Sequence, residues 1–168
     1  MKQARIVLWM VVFGLLILVN TGLAADKFGY VDLSRIFSEY QKTKDYDKNL
    51  QEKTSAYEGE REKKANEVKQ LQDKINLLSD KEKEGKKPEL EKKIKAFQEY
   101  DRQQQTDLRK EQDEKMKEIL KDIDDSVKKY AQAQSYTLVF NDRVLVYQDK
   151  SLDISDKIIV DLNKGYKK

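Results

Sequence analysis

The 168-residue chain contains no cysteine, no histidine and only one proline. Without cysteine there is no disulfide framework, no thiolate metal site and no sulfur to carry a lipid. Without histidine the usual general base and the commonest metal ligand are missing. No GxxxxGK[ST] loop is present to hold nucleotide phosphates. Charged residues make up 39% of the chain, and no carboxylate or lysine pair stands out from that background. These absences point away from an enzyme and leave neither a cofactor nor a metal to expect.

What is present begins with an address. Lys2 and Arg5 make a positive start, Ile6 to Val19 is an unbroken apolar run of 14 residues, and Gly22-Leu23-Ala24 supplies small residues before a cut. Residues 1–24 read as a secretory signal peptide, cleaved after Ala24 or Ala25. Asn20 and Thr21 interrupt the run before the ~20 apolar residues that a membrane-spanning helix needs. Beyond this segment 32 basic side chains face 31 acidic ones, so the exported chain has a net charge of +1 and is expected to be soluble.

From Ser34 to Glu84 there is no proline and one glycine, Gly59, in a stretch dominated by Lys, Glu, Gln, Asp and Leu. All of these but Asp are strong helix formers. Gly85 and Pro88 then form a stop and start pair, which predicts a hairpin tip at residues 85–88 and a second helix to about Gln134. Arms of about 75 and 70 Å follow from the helical rise. Val68, Leu71, Ile75 and Leu78 answer Leu90, Ile94 and Phe97 across the tip. Nearer the base, Ile36, Tyr40, Leu50 and Tyr57 face Leu108, Met116, Ile119, Ile123, Val127 and Tyr130. Between these clusters Arg61, Lys64, Asp101 and Gln104 fall into the seam, so the middle of the hairpin is expected to be its weakest part.

After Gln134 the composition becomes β-rich. Tyr136 to Phe140 and Arg143 to Tyr147, joined by Asn141-Asp142, predict an antiparallel strand pair with apolar residues on both faces. Phe28 to Asp32 predicts a third strand. A last helix follows Asp153 as cap, with Ile154, Ile158, Ile159 and Leu162 on its apolar side. The expected fold is therefore α+β. A body formed by residues 25–33 and 135–168 carries a helical hairpin formed by residues 34–134. So small a body cannot bury a sufficient core alone, and its open, two-faced sheet invites closure by copies of the chain. Tyr30, Leu138, Val139, Phe140, Val144, Leu145 and Val146 are the residues expected at that interface.

Gly29-Tyr30-Val31-Asp32 in the first strand, the long charged hairpin, and the closing strands followed by Leu152-Asp153-Ile154-Ser155 and Leu162-Asn163-Lys164 together resemble the Skp/OmpH family of periplasmic chaperones. The resemblance covers the whole chain. It implies a homotrimer in which the sheets join as a β-barrel and three helical tentacles surround a cavity. It also implies a periplasmic location and, as partners, unfolded outer-membrane proteins held without ATP on their way to the outer membrane. Transient contact with anionic membrane or lipopolysaccharide belongs to the same implication. The near-neutral charge departs from the strongly basic members of the family and assigns no lipopolysaccharide site to named residues.

A holdase of this kind works through many weak contacts. Tyr46, Tyr57, Phe97 and Tyr100 are its candidate client contacts, with packing between the two arms as their alternative role. Residues 61–95 hold 12 basic and 8 acidic side chains, which makes Lys86, Lys87, Lys92 and Lys93 candidates for attracting clients to the tips. The competing readings are a coiled-coil spacer of the cell envelope, which would want a continuous seam, and a nucleic-acid binder. The latter needs a clearly basic stripe. The basic segment is diluted by Asp80, Glu82 and Glu84, so no specific nucleic acid is expected as a partner.

Overall fold

A computed structural model describes residues 26–167. The signal peptide and its cleavage point at Ala24 or Ala25 lie outside the described residues. Strand β1 (Phe28–Val31) leads into helix α1 (Leu33–Glu39), helix α2 (Gln41–Asn76), helix α3 (Asp80–Ala133), strand β2 (Leu138–Asn141) and helix α4 (Ser155–Gly165). Among these residues no helix is long and apolar enough to cross a membrane.

The expected single helix from Ser34 to Glu84 is two helices, because Tyr40 is extended at φ −66° and ψ 124°. Neither glycine nor proline makes this break. Asn163 of α4 takes over the backbone groups that the break leaves free. Its side chain accepts from the Gln41 N–H at 2.7 Å and donates to the Glu39 carbonyl at 3.2 Å. Tyr40 is buried, donates its hydroxyl to Asp122 at 3.2 Å and meets the Tyr166 ring edge-on with centroids 5.9 Å apart. The packing of the side chain dictates the backbone here.

The tip also departs from the prediction, lying at residues 77–79 and not at 85–88. Ser79 and Glu82 have capping-box spacing, and the Glu82 carboxylate accepts the Ser79 N–H at 3.1 Å. Ile75 and Leu90 are both buried near this end, a placement that requires α3 to begin well before Pro88. Pro88 and Gly85 are then carried inside the helix. The arms are consequently unequal, with 36 and 54 residues, or about 54 and 81 Å.

Strands β1 and β2 pair in parallel, with Phe28 opposite Leu138 and Tyr30 opposite Phe140, and the entire hairpin is their crossover. The predicted antiparallel pairing of 136–140 with 143–147 is not formed. Asn141 accepts the Arg143 N–H at 3.2 Å and turns the chain into a 3-10 segment, Asp142–Val144, in place of a hairpin turn. On the far side of β1, the Ile154 N–H donates to the Tyr30 carbonyl at 3.0 Å. Gly29 is required by the ring of Tyr136, which would lie 2.8 Å from any added Cβ.

The core sits where the arm enters the body. Ile36, Ile119, Ile123 and Ile158 are essentially inaccessible, and Val31, Ile154 and Leu162 close around them. Ile158, Ile159 and Leu162 form the buried side of α4 as expected, while the cap position falls on the buried Ile154 and not on Asp153. Asp153 accepts the Ser155 N–H at 2.8 Å and pairs with Arg35 at 3.1 Å, which ties α4 to α1.

Candidate functional surfaces

At the root of the arm, Lys42 lies between Glu118 and Asp122, 2.6 Å from each. Burial alone would lower its pKa, but the two carboxylates hold it above the usual lysine range. Hydrogen bonds from Lys115 and then Lys42 hold the Glu118 carboxyl down at about 2. Burial and the nearby Asp122 push the Tyr40 hydroxyl up to about 12. A groove of about 920 Å³ opens at these residues and is also lined by Asp161 and Tyr166. No sequence pattern pointed to this cluster, since its members are about 80 residues apart and meet only through the register of the arms.

Halfway up the arm the polar seam forms as expected. Arg61 pairs with Asp101 at 2.8 Å, and the Tyr57 hydroxyl donates to the same carboxylate at 2.5 Å. That bond raises the Tyr57 pKa and lowers that of Asp101. Tyr57 and Tyr100 face each other with centroids 6.3 Å apart, and the Lys64 ammonium lies 4.9 Å from the Tyr100 ring centre. Tyr57, Phe97 and Tyr100 are each half-buried and retain an accessible edge. Tyr46 packs against the core cluster, and its buried hydroxyl has no hydrogen-bond partner among the described residues.

The lysines assigned to the tip lie below it. Lys86 and Lys87 pair with Glu89 and Glu84, Lys93 reaches across to Glu67 at 3.0 Å, and Lys92 is exposed. The outermost stretch, residues 73–84, holds three basic and four acidic residues, so the positive charge forms a belt on the shaft. The turn itself presents Leu77, 88% exposed. Met116, assigned to the seam, is open, and its neighbour Leu120, which was not assigned there, is open as well.

In the body, Tyr30 is buried within its own chain, Val139 and Leu145 are half-buried, and Leu138 and Phe140 are accessible. Val144, Val146 and Tyr147 are strongly exposed, with Phe28 and Leu152 also open. Among the described residues β2 has no strand on its outer edge. No group of His, Cys, Asp or Glu that could hold a metal ion occurs among the described residues.

Among the described residues a slender helical arm stands on a small body, with apolar side chains exposed at Leu77 near the tip and at Val144, Val146 and Tyr147 in the body. Residues 27–162 match the family "Outer membrane protein (OmpH-like)", and the chain belongs to that family. Among solved structures, a candidate outer membrane chaperone (OmpH-like) from Caulobacter crescentus CB15 is similar at a TM-score of 0.69 and 19% identity. The match covers 86% of this chain and 88% of that one, and it concerns the fold. No curated protein matches the chain.

Proposed function

We propose that this protein is an ATP-independent holdase of the periplasm, which holds unfolded outer-membrane proteins between its arms until they insert. Membership of the OmpH-like family supports a chaperone role. The observation that carries the finer reading is the unpaired edge of β2 beside the exposed Val144, Val146 and Tyr147. An open edge with apolar neighbours favours closure by further copies of the chain, as a trimer whose sheets join around one axis. Three arms of about 80 Å rising from that axis would enclose a client without gripping any one sequence.

The test is an aggregation assay. An outer-membrane barrel protein diluted from urea should stay dispersed for longer in the presence of this protein, without added nucleotide, at about one trimer per client. Unchanged aggregation would reject the holdase reading in favour of a structural spacer of the envelope.

A further inference from the structure

Two grooves occupy one flank of the arm. The middle one, of about 320 Å³, has Tyr57, Tyr100 and Leu108 in its wall and the Lys53–Glu111 pair at its rim. The upper one, of about 90 Å³, is walled by Val68 and Phe97 beside the Lys93–Glu67 pair. On α3, Lys93, Tyr100 and Asp107 stand at seven-residue steps, and so do Gln104 and Glu111. On α2, Lys53 and Glu67 are fourteen residues apart. A helix drifts by only about 20° per seven residues, so both grooves open on the same side of the hairpin. Gln51 and Gln98 each stand two residues from a groove residue, about 200° round their helices, and both are exposed.

We propose that this flank is a track for one extended segment of polypeptide with apolar side chains along one face, a strand-length piece of an unfolded membrane barrel. The proposal rests on the holdase reading above. Its first ground is length. From Lys93 to Glu111 the two grooves span 18 residues of α3, about 27 Å, which is the reach of about eight residues of extended chain. That is close to the ~9–11 residues of a membrane-spanning β-strand.

Its second ground is chemistry. The walls offer half-buried aromatic and aliphatic edges to alternate side chains of the occupant. The Lys53–Glu111 and Lys93–Glu67 pairs neutralise each other across the arms and demand no fixed charge from what lies beside them. Gln104 and Asp107, which line the middle groove, supply partners for the unpaired backbone of a strand. Aromatic packing tolerates many sequences, whereas a continuous apolar face and sufficient length are required.

The absence of native cysteine permits a direct test. The exposed groove residues Ala56 and Ala96 (as Ala56→Cys and Ala96→Cys), and Gln51 and Gln98 on the other flank (as Gln51→Cys and Gln98→Cys), would each carry a photo-crosslinker. The probes are synthetic peptides of four, eight and twelve residues with Leu or Phe at every second position. The groove positions should crosslink at least fivefold more than the other two, with yields rising from four to eight residues and then levelling within twofold. Equal yields from both flanks, or yields still climbing through twelve residues, would overturn the track. The same labelled proteins enter the aggregation assay. Suppressed aggregation with equal flank yields removes the track and leaves the holdase, while unsuppressed aggregation removes both.

Discussion

Where the arm enters the body, four isoleucines, Ile36, Ile119, Ile123 and Ile158, are almost wholly inaccessible. In the arm, no residue of α2 between Thr43 and Ile75 is buried, and none of α3 between Leu90 and Ile119. The hairpin is thus pinned at its root and near its tip by apolar contacts. Between them it is held by half-buried aromatics and cross-arm ion pairs such as Lys53–Glu111 and Arg61–Asp101. Local stability follows the density of buried apolar contact, and exposed ion pairs add little to it. A firm root therefore carries a shaft whose middle is expected to open before either end.

The contrast can be broken from the body side first. Ile158→Ala should cost about 2–5 kcal/mol, as loss of fully buried methyl groups does, and chemical denaturation would measure it. Next in size is the joint at Tyr40. Asn163→Ala removes both side-chain bonds across the helix break and should cost about 1–2 kcal/mol. In circular dichroism this should appear as earlier melting with no loss of helix at room temperature.

On the shaft, the expected effects are smaller. Arg61→Ala should lower global stability by less than about 1 kcal/mol, because its partner Asp101 keeps the Tyr57 bond. Amide exchange should nonetheless be fastest near residues 55–65 and 98–108, and slowest around Ile119 and Ile123. Uniform protection along α2 and α3 would erase the contrast.

The smallest expected effect is the acid response of the root. Glu118 has its folded pKa lowered from an ordinary 4.5 to about 2, so its stabilisation is present above pH 4.5 and fades as pH falls towards 2. Glu118→Gln should flatten stability against pH in that window and leave the slope above pH 5 unchanged. Thermal melts at half-unit pH intervals would show it.

Much of this contrast is legible in the sequence, for physical reasons that differ by element. The long breaker-free stretches mark the arms, and the three-and-four spacing that puts Leu71 and Leu90 in the seam puts Arg61 and Asp101 there too, where they pair. The apolar side of α4 is read directly from Ile158, Ile159 and Leu162. The tip is misread because Gly85 and Pro88 speak louder than the Ser79–Glu82 box, although a helix already capped and packed through Ile75 and Leu90 tolerates both. The break at Tyr40 is invisible because Asn163, which sustains it, lies more than 120 residues away. The strand pair 136–147 fails differently. Its pattern asks for partners on both faces, and a single chain leaves Val144, Val146 and Tyr147 without them.

Those exposed residues bear on the central claim, that the body assembles copies while the arms hold a client. Native mass measurement of the purified protein, alone and after mixing with a urea-diluted outer-membrane barrel protein, tests both halves together. Three chains alone and three chains plus one client on mixing is the predicted result, with Val144→Asp reducing the free species to one chain because an unpaired carboxylate cannot be buried at the joined edge. A wild-type monomer at micromolar concentration, or a trimer that takes up no client, would contradict the account.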